Sequence, residues 1–346
     1  MATAEAAMQP GDALWDPSWV EGEGERTIRE RSGTDAKTAA ATLYCSWFCP
    51  FAQRAWIALE AKGVAYRYVE INPYEVDPAK PGGYTKLQLP MEEKRAKYLN
   101  FVLASPRGLV PALDVRSGER LCESLPLVEF IDERFDGPSL LPRGELHAYA
   151  RAQCRRWASE FDQRVQRPYY LCIMEQDPER AEAFKESMIL GCRSFSRAMC
   201  PHGPFFLGSE FSFVEAAAAP FWQRIVSVGA HYRGLELPGD DDDDFKRLRV
   251  WWAAVEAHPS VAKTLVCPAR LIASYGDYAR NDATSDYARQ AQRSLSAPND
   301  VVDLGEDSEF AQIVAAARVK VLRVFGLLAG AFALGYAAGR RRAAVK

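Results

Sequence analysis

The chain has 346 residues, 48% of them hydrophobic and 26% charged, with a formal net charge of −3 at neutral pH. That is enough apolar material for about two domains with extensions, and the weakly acidic balance, with no nucleic-acid motif, argues against a nucleic-acid partner. Eight cysteines lie scattered without zinc-ligand pairing or a compact disulfide framework, which predicts a reducing compartment. The four histidines share no metal-ligand spacing, so no metal is expected.

Residues 1–40 are rich in Ala, Glu, Gly and Thr without periodicity and read as a flexible N-terminal extension, with Trp15 and Trp19 free to rest on the body. No basic-then-apolar signal pattern opens the chain. The first element is a strand, the apolar run Thr42-Leu43-Tyr44-Cys45, followed by a helix whose apolar residues Phe51, Ala55, Ile57, Ala58 and Leu59 recur at helical spacing. Pro50 suits the first helical position and Gly63 the C-terminal cap, so Cys49 falls at the N-cap. Unpaired N–H groups and the helix dipole favour an anion there, which predicts a lowered pKa and a reactive thiolate. In Cys49-Pro50-Phe51-Ala52 the place of a resolving cysteine is held by alanine, so an external thiol would have to reduce a mixed disulfide. Strand alternation turns Cys45 into the sheet, and its pairing with Cys49 depends on the turn between them.

Val64–Asn72 reads as a second strand, followed by a long connection with Pro73, Pro78 and Pro81 and a helix over Met91–Leu103. Leu113 and Val115 form a strand, Arg116-Ser117-Gly118-Glu119 a turn, Leu121 and Cys122 its antiparallel partner, and Ser124 caps a helix running through Phe135. The order βαβαββα is that of an α/β thioredoxin-like domain, over residues 41–142. Apolar spacings at 146–174, 178–200, 213–232 and 245–257 predict an all-α domain over 143–275, in which Ser212-Phe213-Val214-Glu215 is a capping box. Residues 276–318 read as a polar linker; they carry two copies of Asp-Tyr-Ala-Arg, at 277–280 and 286–289. Asp240 to Asp244 lack the pattern of a calcium loop and read as a solvated run.

Four motifs in register, "CPFAQR", "GLVP", "ES" and "FSFVEAAAAPFW", make residues 40–275 resemble a glutathione transferase of the cysteine-bearing omega type. The resemblance implies glutathione as co-substrate. It makes Cys49 the catalytic thiol, gives a cis bond at Pro111 with Val110 gripping the cysteinyl amide, and sets Glu123 and Ser124 on the γ-glutamyl group. Phe221 and Trp222 would wall the pocket for a small electrophilic or disulfide substrate, simple core packing being the competing reading. The implied activity is thiol transfer: dehydroascorbate reduction, deglutathionylation or reductive cleavage of glutathione adducts. The resemblance also leaves room for a homodimer. Chloride intracellular channel proteins share the cysteine-proline-phenylalanine helix start, and a catalytically weak membrane adaptor is a third reading.

The segment 319–346 is expected to anchor the protein. It is uncharged from Val324 to Gly339 and then carries Arg340-Arg341-Arg342. As a helix, Val324 to Ala338 would rise roughly 22 Å, short of a hydrocarbon core of about 30 Å unless arginines snorkel and the bilayer thins. Short apolar tails with basic flanks resemble anchors of the mitochondrial outer membrane, with peroxisome and endoplasmic reticulum as alternatives and the enzyme body in the cytosol.

Overall fold

The structure is a computed structural model that describes residues 28–30, 39–77, 79 and 84–296. Its first domain is built on the βαβ unit read from the sequence. Strand β2 (Ala41–Cys45) leads into helix α1 (Pro50–Lys62), and β3 (Tyr66–Glu70) returns parallel to β2, with Leu43 opposite Tyr68. Gly63 closes α1 in the left-handed region at φ 65°, where a side chain would be strained. On the other side β6 (Ala112–Val115) runs antiparallel to β2, and β7 (Arg120–Cys122) antiparallel to β6. Helix α4 (Ser124–Arg134) packs beside α1 on the same sheet. Leu43, Ile57, Leu59, Leu113, Leu127 and Ile131 are fully buried between the layers.

Three stretches differ from the sequence reading. Residues 28–30, within the expected flexible extension, form an edge strand β1 (Ile28–Glu30) antiparallel to β3, giving the five-stranded order β1-β3-β2-β6-β7. The proline-rich connection after β3 holds a hairpin, β4 (Tyr74–Val76) with β5 (Tyr84–Gln88), whose aromatic residues pack on Phe48 and Trp47. The expected helix 91–103 is two short ones, α2 (Met91–Lys97) and α3 (Leu99–Ala104), broken where Tyr98 leaves helical geometry to bury its ring against Phe101.

The second domain is helical, as expected: α5 (Ala148–Phe161), α6 (Arg167–Met174), α7 (Pro178–Ala198), α8 (Phe213–Arg224), the short α9 (Ala230–Arg233), α10 (Asp243–Ala257), the short α11 (Pro259–Ala262) and α12 (Pro268–Ser274). Single π turns at Asp162–Gln166 and Ile225–Gly229 join α5 to α6 and α8 to α9. The expected capping box opens α8. Ser212 accepts from the Val214 N–H, while the buried Glu215 accepts from the Ser212 N–H at 3.0 Å, its Oγ at 2.6 Å, the Phe206 N–H at 2.7 Å and Trp251 Nε1 at 2.9 Å.

The polar linker reading of 276–318 is corrected over its first part. Helices α13 (Gly276–Ala279) and α14 (Asp286–Ser296) fold onto the body. Ala288, Ala291 and Leu295 are buried at spacings of three and four, so the segment is amphipathic despite its polar composition. The described residues hold no helix long and apolar enough to cross a membrane; the proposed anchor at 319–346 lies outside them, as do Trp15 and Trp19.

The two domains meet along α1 and α8. Arg54 of α1 is buried there: Nε donates to the Ala217 carbonyl at 2.8 Å, Nη2 pairs with Asp162, and its guanidinium lies 4.6 Å from the Phe221 ring centroid. Gln53 donates to the Thr264 carbonyl at 2.9 Å and accepts from Arg224 at 2.9 Å.

Candidate active site

A cleft of about 330 Å³ opens between the domains at the start of α1, and Cys49 lies on its floor. Cys49 is the N-cap of α1 in extended backbone and makes no side-chain cap hydrogen bond, so its sulfur is left to the cleft. Its pKa runs opposite to the sequence expectation. Burial pushes the thiol up, against the lowering pull of the Ala52 and Phe51 N–H groups and of the Arg224 and Lys86 charges. The helix terminus does favour the thiolate, but desolvation outweighs it here. Cys45 is a free, fully buried thiol outside the cleft lining; burial, with the Glu70 charge, raises its pKa strongly.

Val110 lines the cleft beside Cys49, and the Val110–Pro111 bond is cis. Neither the N–H nor the C=O of Val110 has a hydrogen-bond partner among the described residues. The loop behind it is fixed: Ser105 Oγ donates to the Leu109 carbonyl at 2.7 Å, and Lys94 Nζ to the Gly108 carbonyl at 3.2 Å. An open backbone edge on a pinned loop suits a peptide-like ligand, which pairs there as an added strand.

Glu123 and Ser124 line the far end of the cleft. Glu123, not Ser124, is the N-cap of α4, and Ser124 is its first residue. Glu123 sits at φ 77°, a conformation that strains a side-chain-bearing residue and recurs at ligand sites. Its carboxylate pairs with the exposed Arg107, while the Ser124 hydroxyl accepts from Arg54 Nη1 at 3.3 Å instead of capping the helix. The carboxylate and the helix start offer partners of both signs to an amino-acid end group.

Phe221 and Trp222 do not line the cleft. Phe221 is buried edge-on to Phe51 at 5.1 Å and Trp222 against Trp251 at 5.5 Å, so both pack the core. The wall facing Cys49 comes from Phe51, Tyr170, Tyr275, Tyr278 and Tyr287. Tyr287 of α14 lies over Tyr170 at 4.6 Å and Phe51 at 5.6 Å; Tyr278 shares a hydrogen bond with Ser285 at 2.6 Å and Tyr170 with Tyr275 at 2.7 Å. Sequence reasoning missed these tyrosines, although Tyr278 and Tyr287 are the tyrosines of the two Asp-Tyr-Ala-Arg copies. It also missed Lys86, which enters the cleft from β5.

Residues 48–134 match the family model of the glutathione S-transferase N-terminal domain. Among solved structures, the fold superposes on glutathione transferase Omega 3C of Trametes versicolor with a TM-score of 0.54 and 30% identity, covering 66% of this chain and 90% of that one. Among curated relatives, glutathione S-transferase L2 of Arabidopsis thaliana is 27% identical over 67% of this chain and 68% of its own. Glutathione S-transferase omega-1 of Sus scrofa is 25% identical over 69% of this chain and 86% of its own. A thioredoxin-like domain with a helical partner, matched by these relatives, defines a transferase of the glutathione-using kind. The chain belongs to the glutathione transferase superfamily.

Proposed function

We propose that this transferase is a cysteine-dependent thiol transferase, in which Cys49 passes through a mixed disulfide with glutathione. The observation that carries the reading is the residue at the start of α1: a cysteine with its sulfur uncommitted, in the cleft that holds the open edge of Val110. A hydroxyl in that place would hydrogen-bond the glutathione sulfur and leave it free for conjugation, whereas a cysteine sulfur captures it.

Val110 pairs with the cysteinyl amide of glutathione, Glu123 holds the γ-glutamyl amine, and the N–H groups and hydroxyl at Ser124 take its α-carboxylate. The Cys49 thiolate attacks the glutathionyl sulfur of a glutathionylated thiol; the Cys49–glutathione disulfide forms and the substrate leaves as a thiolate. A second glutathione attacks the glutathionyl sulfur, oxidised glutathione departs and the Cys49 thiolate returns. The tyrosine wall supplies the substrate side. Cys49→Ser tests the reading: it abolishes release of glutathione from a glutathionylated peptide, and full retention of that activity rejects it. An adaptor reading is disfavoured by the intact sulfur and open glutathione edge.

For residues 319–346 the proposal is a tail anchor that leaves the enzyme in the cytosol, at the mitochondrial outer membrane first and at peroxisome or endoplasmic reticulum otherwise. It is supported by the uncharged run from Val324 to Gly339 and the arginines behind it. A fluorescent reporter carrying these residues is expected in a membrane fraction resistant to carbonate; an evenly cytosolic reporter rejects the anchor.

A further inference from the structure

Two buried cations flank Cys49, and among the described residues neither is ion-paired with a carboxylate. Lys86 is buried with Nζ 4.1 Å from the ring centroid of Phe48, 4.8 Å from those of Tyr74 and Tyr84, and 5.8 Å from that of Tyr278. Among the described residues its ammonium has no hydrogen bond and no ion pair. Its backbone is pinned: the N–H donates to Asp277 Oδ2 at 3.0 Å, and the C=O accepts from the Thr284 N–H and Oγ1, both at 3.0 Å. Arg224 is wholly buried on α8 and, among the described residues, donates to neutral acceptors: the carbonyls of Phe48 at 3.0 Å and Pro220 at 2.5 Å and Gln53 Oε1 at 2.9 Å, with the Tyr275 hydroxyl beside it.

Phe48 joins the two: its ring faces Lys86, its carbonyl takes Arg224, and the next residue is Cys49. Burying a charge is strongly unfavourable unless it is paired. Rings and carbonyls solvate these cations without cancelling their charge, so the site is built around an anion that forms in place.

We propose that Lys86 and Arg224 are positioning residues that supply the counter-charge of the Cys49 thiolate, Arg224 as a fixed cation and Lys86 as the one that takes up and returns the proton. The inference deepens the thiol-transfer reading of Cys49 and rests on it. In the forward step the S–H bond of Cys49 breaks, the electron pair stays on Sγ, and the proton is held on Lys86 Nζ; nothing is oxidised or reduced.

The surroundings leave these groups to decide the charge. The phenols that face them, Tyr74 on β4, Tyr84 on β5, Tyr275 between α12 and α13 and Tyr278 on α13, are held neutral by burial, which raises all four pKa values. Asp277 on α13 favours the charged form of Lys86 but is itself ion-paired with Arg280. Burial lowers Lys86 to about 7 against the pull of Cys49 and Asp277, with Arg224 adding to the fall. Burial thus drives lysine and cysteine toward neutrality while their attraction drives both toward charge, and the balance falls near the pH at which the protein works.

The test uses the full chain and the alkylation of Cys49 by iodoacetamide from pH 5.5 to 9.5, read by mass spectrometry of the Cys49 peptide. Lys86→Met keeps the length and apolar stem within the cage. It is expected to slow alkylation about tenfold at pH 7, with the midpoint moved up and the plateau rate at high pH retained. Lys86→Arg, a permanent cation that cannot take up a proton, restores the rate at pH 7 and sets the midpoint at or below the wild-type value. Superimposable Lys86→Met and wild-type profiles overturn the inference. So does an equal loss at every pH that Lys86→Arg fails to rescue, which marks a collapsed cage. The thiol-transfer reading fails on a different measurement, transfer activity retained in Cys49→Ser, so the two failures are distinguishable.

Discussion

Two helices of this protein start from the same backbone shape and reach opposite ends. Ser212 and Cys49 are both N-caps in extended conformation. At α8 the polar groups close on themselves, with Ser212 on the Val214 N–H and four donors on the Glu215 carboxylate. At α1 the capping side chain makes no cap hydrogen bond, and the Ala52 and Phe51 N–H groups and the nearby cations act on its sulfur. A satisfied network fixes a fold; a start left open stores the electrostatic tension that chemistry draws on. On the proposed thiol-transfer reading the first belongs to stability and the second to reactivity, and substitutions should separate them.

The sharpest break in the comparison is Cys49→Ser, which gives α1 the kind of cap that α8 has. Thiol transfer from a glutathionylated peptide is expected to fall by at least about a thousandfold, since a hydroxyl does not displace a thiolate from a disulfide at neutral pH. The thermal midpoint should hold or rise, because serine is a better N-cap than cysteine. A drop in both activity and midpoint would deny that the two helix starts serve different ends.

The converse change is Glu215→Ala. It strips the acceptor from four donors inside a dry core, and each orphaned donor costs about 1–3 kcal/mol. A loss of at least about 3 kcal/mol in urea unfolding is expected. The fraction that remains folded should alkylate Cys49 at the wild-type rate. Little change in stability would mean that the capping box is not what locks α8.

What could be read in the sequence divides along the same line. Local patterns announced α1, its proline and its glycine cap, the strands at 41–45 and 66–70, and the Ser212 box, because each is set by neighbours a few residues apart. Cys49, Val110, Pro111, Glu123 and Ser124 were found through short motifs and do converge on one cleft. Lys86 and Arg224 were not found. Their proposed roles rest on contacts across the chain, Lys86 with Asp277 and Tyr278 and Arg224 with Phe48, and no periodicity encodes these. The hairpin carrying Lys86 was hidden because prolines and glycines at 73–83 read as loop. Phe221 and Trp222 misled in the opposite sense. The motif set them on the right helix but not on its cleft face, and Phe51 shields Phe221 from the pocket. Helix α14 was readable: Ala288, Ala291 and Leu295 give the apolar stripe that polar composition masked.

A smaller effect tests the glutathione end. Glu123 is exposed and already paired with Arg107, so its removal leaves the fold intact and deprives the ligand amine of a charged partner. A hydrogen bond to a charged group is worth about 1.5–3 kcal/mol, and Glu123→Ala should weaken glutathione binding roughly ten- to a hundredfold by calorimetry. Unchanged affinity would assign Glu123 to its ion pair alone.

The smallest expected effect asks whether the open helix start is held against the stability of the fold. Lys86 has its folded pKa lowered to about 7 by burial, well below the ordinary lysine value, so the unfolded chain binds its proton more tightly than the folded one. The sign follows from linkage: stability contributed through Lys86 is lowest below pH 7, rises with pH from there, and levels off once the unfolded lysine also loses its proton near pH 10. Lys86→Met removes that penalty and some attraction to the four rings with it. The net expectation is a thermal midpoint a few degrees above wild type at pH 6. The gap should narrow steadily toward pH 10. A gap constant with pH would mean that the ammonium carries no burial cost in the cage, and the cations at α1 would then be as well satisfied as the carboxylate at α8.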